Sequence, residues 1–181
     1  MNLANKITLF RVFLVPVFLI VLYSNIENNV AIAGIIFIIA SLTDMLDGHI
    51  ARSRNLVTDF AKFVDPLADK ILASAALIAL VDMGKISGWI VIIIIAREFT
   101  VTGFRVLAAS KGVTIAASPW GKVKTITQLI AIILFLFDNL PFDYIGLRVD
   151  VIMIYAALVF TVVSGIDYIV KNKNIIDTKD I

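Results

Sequence analysis

Apolar residues in this chain fall into six long runs, at about residues 7–23, 30–52, 60–81, 87–109, 123–137 and 151–170. A bilayer core takes about 20 residues of helix. Runs of that length, not short alternating stretches, predict an all-α integral membrane protein with six transmembrane helices. A hydrophobic content of 60% and a mean hydropathy of +0.99 agree with this. The length of 181 residues suits one membrane domain covering 1–181. The first run carries Arg11 and Pro16 and lacks a small-residue cleavage site, so it reads as a span and not as a signal peptide. Ahead of it, Met1 to Lys6 are expected to form a short amphipathic helix at the interface. The fifth run is short unless Gly121, Lys122 and Lys124 form its polar end.

Basic residues set the orientation. With the N-terminus inside, that side collects Lys6, Arg11, Arg52, Arg54, Lys62, Arg105, Lys111, Lys122, Lys124, Lys171, Lys173 and Lys179. The other side keeps Lys85 and Arg148 and the acids Glu27, Asp82, Asp138, Asp143 and Asp150, while Lys70 and Arg97 fall within spans. Both termini are therefore expected on the cytoplasmic face. Trp89, Trp120 and Tyr168 near span ends read as aromatic belts, and Gly34, Gly88, Gly103 and Gly165 as sites of close helix packing.

The absence of cysteine excludes disulfides and thiolate chemistry, and a single histidine cannot build a histidine-rich metal site. Any metal must be held by carboxylates, which favour hard cations such as Mg²⁺ or Mn²⁺. The second and third runs contain such a set: Asp44-x-x-Asp47-Gly48-x-x-Ala51-Arg52, then Asp65-x-x-x-Asp69. Charges inside a membrane cost several kcal/mol each. Spacings of three and four put each pair on one helix face, and a short turn brings the two helices side by side. Four carboxylates meeting there repel unless cations neutralise them, and two divalent ions suit displacement at phosphorus. Gly48 and Ala51 leave room for a ligand near the backbone, and Arg52 adds a fixed positive charge apt for phosphate. The plainer alternative is a set of ion pairs with Arg52, Arg54, Lys62 and Lys70.

A second constellation is basic. Arg97 and Arg105 lie eight residues apart on a similar helix face, and Lys122 and Lys124 enter the fifth run. Together they form a candidate pocket for a doubly charged phosphate, which an acceptor already carrying phosphate needs and serine does not. Taken singly, Lys122 and Lys124 also read as anchors, and Arg97 as a partner of Glu98 or of an outer carboxylate.

The aspartate stretch closely resembles the signature of the CDP-alcohol phosphotransferases. Ala61 stands where that signature has a glycine, four residues before the third aspartate. The resemblance implies that Asp44, Asp47 and Asp65 ligate two divalent cations, and that Asp69 completes the site and acts as general base. It implies that Gly48, Ala51, Ala61 and Arg52 border the CDP moiety of CDP-diacylglycerol. The runs around Arg97–Glu98, Thr102–Gly103, Arg105 and Gly121–Lys122–Val123–Lys124–Thr125 are similar to those of the bacterial phosphatidylglycerophosphate synthases, as is the opening around Asn5 to Arg11, which makes Asn5 and Thr8 candidate donor contacts. That branch implies sn-glycerol 3-phosphate as acceptor, a homodimer among membrane lipids, and no nucleic-acid partner. Rival readings are a relative using serine or inositol phosphate, and a metal-ion transporter whose aspartates bind the permeating ion.

Overall fold

The computed structural model describes residues 3–54, 59–110, 112, 115 and 118–172, with side chains for all of these except 3–9, 11, 44–54, 59–69 and 110. The described chain is helical throughout, with no strand. The order is α1 (Leu3–Leu22), α2 (Asn29–Arg54), α3 (Asp59–Asp82), α4 (Gly88–Ser110), α5 (Pro119–Leu136), a 3-10 turn (Phe142–Ile145) and α6 (Val149–Asn172).

Each expected run lies within one helix or nearly so, with one correction. The stretch before the first span is not a separate interfacial helix, because α1 is continuous from Leu3. Leu3, Ala4 and Lys6 are good helix formers, and neither glycine nor proline intervenes before Ile7 to break the turn. At the other short run the polar end is real. Ser118 caps α5, its Oγ accepting the Gly121 N–H at 3.3 Å, and Pro119 takes the first helical position, where no N–H is needed. Gly121, Lys122 and Lys124 thus belong to α5.

Among the described residues, α5 and α6 are long and apolar enough to cross a membrane. α4 is 23 residues long but carries Arg97, Glu98 and Arg105 along its length. The bundle has two halves. α1 packs on α2 and α3, while α6 packs on α5 and α4; contacts of α3 with α4 and of α2 and α3 with α5 join them. Phe18, Phe37, Leu77, Leu80, Ile94, Ile132 and Leu136 are fully buried in one apolar core that draws on both halves. Outside, Phe13, Ile20, Ile92, Ile126, Val159 and Ile166 are more than half exposed.

The turns α1–α2, α3–α4 and α5–α6 gather at the end opposite the termini, here the distal end. Tyr23 donates to Asp82 at 3.0 Å, and Lys85 donates to the Phe135 carbonyl at 2.8 Å and to Asp138 at 2.6 Å. Asn139, left-handed at φ 62°, is buried between the last turns. Its Nδ2 donates to the Leu147 carbonyl at 2.8 Å and its Oδ1 accepts the Asp150 N–H at 3.1 Å, satisfying one of the orphan donors that begin α6.

Two further expectations are corrected. Tyr168 is 3% exposed and packs edge-on against Phe104, so it is an interior residue and not part of a belt; Trp89 and Trp120 do lie half exposed near helix ends. Gly103 has open space where a side chain would go, so it does not serve close packing. Gly34 does: a Cβ there would sit 2.7 Å from the Phe137 ring.

Candidate active site

The helical register of the aspartates is as expected. Asp44 and Asp47 occupy positions i and i+3 of α2, and Asp65 and Asp69 positions i and i+4 of α3, the next helix in the chain. The side chains of Asp44, Asp47, Asp65 and Asp69, and those of Asn5, Thr8, Gly48, Ala51, Arg52 and Ala61, lie outside the described residues. α3 is helical through Ala61.

The basic constellation is described in full. Arg97 on α4 and Lys124 on α5 converge on one carboxylate oxygen, Oε1 of Glu98, at 2.8 Å and 2.6 Å. The Lys124 side chain is 2% exposed, and those of Arg97 and Glu98 are 15% and 19% exposed. Two glycines make this possible. A Cβ at Gly165 of α6 would sit 3.3 Å from Arg97 Cγ, and one at Gly121 of α5 would sit 3.5 Å from its guanidinium. The small residues thus let a long cation lie between three helices. Arg105, two turns on, faces the same helix α6, with its guanidinium 5.8 Å from the centre of the Tyr168 ring, a cation–π distance. Lys122 is exposed.

The four predicted cations therefore divide. Arg97 and Lys124 meet, Arg105 lies apart over an aromatic ring, and Lys122 faces outward. The expected pairing of Arg97 with Glu98 is present, but sequence reasoning missed that Glu98 also holds Lys124, 26 residues away. It also missed Gln128, buried one turn past Lys124. The only signal for Gln128 was a polar residue at i+4 from a lysine in an otherwise apolar helix.

Among the described residues, two hollows stand out. The larger, about 370 Å³, is at the distal end, lined by Lys85, Asp138, Asn139, Asp143, Arg148 and Asp150. Its cations are already matched with acids, Lys85 with Asp138 and Arg148 with Asp150. The smaller, about 40 Å³, lies between α3, α4 and α5. Its polar wall is Lys70, Ser74, Glu98, Lys124, Thr125 and Gln128, and Lys70 directly follows Asp69. Buried cations beside a carboxylate-bearing helix make this smaller hollow the better place for phosphate chemistry, since charge acts more strongly away from water.

This all-helical chain, with an aspartate pair on each of two successive helices, belongs to a class of phosphatidyl-group transferases. The CDP-alcohol phosphatidyltransferase family matches residues 1–163, and this chain belongs to it. Among its relatives is the CDP-diacylglycerol–glycerol-3-phosphate 3-phosphatidyltransferase of Bacillus subtilis (strain 168), 44% identical over 191 residues that cover 99% of each chain. A protein of Mycobacterium tuberculosis (strain H37Rv), named probable phosphatidylglycerophosphate synthase, is 40% identical over 173 residues, 94% of this chain and 81% of that one. The Haemophilus influenzae 3-phosphatidyltransferase of the same name as the Bacillus protein is 38% identical over 175 residues, 93% of this chain and 91% of the relative.

Proposed function

We propose that this chain transfers the phosphatidyl group of CDP-diacylglycerol to sn-glycerol 3-phosphate, giving phosphatidylglycerol phosphate and CMP. Relatives named for that reaction match it along nearly its whole length. The observation that carries the acceptor reading is the meeting of Arg97 and Lys124 on Glu98. Two cations, one from α4 and one from α5, are thereby held close together inside the bundle. A phosphorylated acceptor brings the doubly charged group that such a pair of cations binds; serine carries no phosphate.

Asp44, Asp47, Asp65 and Asp69 form a hard-oxygen donor set that fits two divalent cations, Mg²⁺ or Mn²⁺. When bound, the cations supply charge neutralisation at the β-phosphate of the donor lipid. Asp69 takes the proton of the acceptor hydroxyl, the freed oxygen attacks the β-phosphorus, and the bond to CMP breaks. Arg97 and Lys124 hold the acceptor phosphate, with Arg105 and Lys122 along its approach. Gly48, Ala51, Ala61 and Arg52 border the CDP group, and Asn5 and Thr8 contact it from α1.

The reading includes the setting. The single domain crosses the cytoplasmic membrane with all six helices, works as a homodimer among membrane lipids, and keeps both termini and the site on the cytoplasmic side. The excess of lysine and arginine toward the termini supports that orientation.

The test is CMP release by the purified protein given CDP-diacylglycerol, Mg²⁺ and a panel of acceptors. Release is expected with sn-glycerol 3-phosphate, and chelation of divalent ions is expected to stop it until Mg²⁺ or Mn²⁺ is restored. Consumption of serine or inositol phosphate in place of glycerol 3-phosphate would overturn the acceptor. Metal flux into proteoliposomes without CMP release would overturn the enzyme.

A further inference from the structure

Gln128 has no place in the mechanism so far, yet it is 6% exposed and its amide oxygen meets no hydrogen-bond partner among the described residues. A buried amide left unsatisfied is costly, so such groups in folded proteins await a water or a ligand. Gln128 lies on the wall of the hollow of about 40 Å³ between α3, α4 and α5. One water needs about 10–15 Å³ of such space, so there is room for a hydroxyl and the carbon that carries it. The rest of the polar wall is Lys70, Ser74, Glu98, Lys124 and Thr125.

We propose that Gln128 reads the non-reacting hydroxyl of a phosphorylated polyol acceptor and so sets the enzyme's acceptor specificity. This rests on the acceptor reading above. On that reading the acceptor's phosphate sits at the Arg97–Lys124 end and its reacting hydroxyl near Asp69. The wall of the hollow runs from Lys124, at the phosphate end, to Lys70 on α3, the residue after Asp69 in the chain. In a three-carbon acceptor the group left between them is the middle hydroxyl. A hydroxyl both donates and accepts, so it satisfies Gln128 whichever way the amide is turned. An acceptor without it leaves the amide orphaned, and sites built around a substrate hydroxyl discriminate strongly against the analogue that lacks one.

The experiment compares sn-glycerol 3-phosphate with 3-hydroxypropyl phosphate, which keeps the reacting hydroxyl and the phosphate but lacks the middle hydroxyl. The wild-type enzyme should prefer glycerol 3-phosphate by about 10- to 100-fold in kcat/KM, the range for one buried hydrogen bond. In Gln128→Leu the ratio should fall toward one, mainly through loss on glycerol 3-phosphate. Gln128→Met, closer in length and flexibility, gives a second measurement if the leucine variant does not fold. A general folding defect lowers both rates and leaves the ratio unchanged, so a wild-type ratio in both variants overturns the proposal. Equal use of the two acceptors by the wild type overturns it too, and makes the hollow a water site. If the wild type turns over neither acceptor, the function proposed above falls, and this inference with it.

Discussion

The distal end and the Arg97–Glu98–Lys124 cluster both rely on ion pairs, but they use them differently. At the distal end each cation has its own acid. Lys85 meets Asp138, which is 77% exposed, and Arg148, 64% exposed, holds Asp150 through two hydrogen bonds. The Lys85–Asp138 pair ties two turns together, and the Arg148–Asp150 pair is local to the start of α6. In each, one partner is exposed to solvent, though Asp150 itself is buried, and such screened pairs are worth about 0–1 kcal/mol. In the cluster two cations share one acid and all three side chains are mostly buried. A buried pair gains little net stability over an apolar core of the same shape. A buried cluster of this kind is therefore a weak staple, and its position on the wall of the hollow beside α3 suits the anion binding proposed for it.

The comparison is broken most sharply by neutralising carboxylates at the two ends. Asp69→Asn should abolish CMP release while leaving most donor binding, because the acceptor hydroxyl loses its base. Asp150→Asn loses the charge pairing with Arg148 and should cost only about 1 kcal/mol of stability, with the acceptor KM unchanged. Steady-state kinetics with a thermal melt separates the two. An active Asp69→Asn enzyme would remove the base assignment.

Next in size is Lys124→Met. It keeps a similar length in a buried position and leaves Glu98 still paired with Arg97. The acceptor KM should rise about 10- to 100-fold, the value of one charge-assisted contact, with the donor KM little changed. Arg105→Ala should raise it less, because Arg105 lies over Tyr168 and outside the cluster. An unchanged acceptor KM in Lys124→Met would make the cluster structural, like the distal pairs.

Glycines sharpen the comparison further. Gly165→Ala places a methyl 3.3 Å from Arg97 Cγ, so the side chain must give by a few tenths of an ångström. The acceptor KM should rise a few-fold with a small change in melting temperature. Gly34→Ala meets the Phe137 ring at 2.7 Å and Leu136 Cβ at 3.3 Å, and overpacking of this kind costs about 1–3 kcal/mol. It should lower the melting temperature and leave the acceptor KM alone.

What the sequence could and could not show follows the range of the interactions. The helices were legible because apolar length is a local property, and so was the register of Asp44, Asp47, Asp65 and Asp69. The start of α5 was legible in Gly121, Lys122 and Lys124. The extent of α1 was not, because the polar turn at Asn5 and Lys6 resembles an interface helix and only the backbone shows that no break follows. Tyr168 has the spacing of a belt residue, and its burial depends on Phe104 and Arg105 from another helix. Glu98 looked like a partner for its neighbour Arg97, and its second bond, to Lys124, is set by how α4 and α5 pack. Gln128 was silent for the same reason: a polar residue in an apolar helix shows its purpose only when the hollow beside it is seen.

The smallest effect is expected at Lys85. Its ammonium donates to the Phe135 carbonyl and to Asp138, so Lys85→Met removes two hydrogen bonds at once. The carbonyl lies near the C-terminal end of α5, where acceptors are partly free and a cation is favoured by the helix dipole. Asp138 is already mostly in solvent and is rehydrated without penalty. The loss should therefore stay within about 1 kcal/mol and weaken further at high salt, which screens such exposed pairs. Activity should be unaffected, since no group of the proposed site touches this turn. A melting temperature that falls as far in Lys85→Met as in Lys124→Met would mean that the distal pairs and the buried cluster do the same job, and the distinction between them would fail.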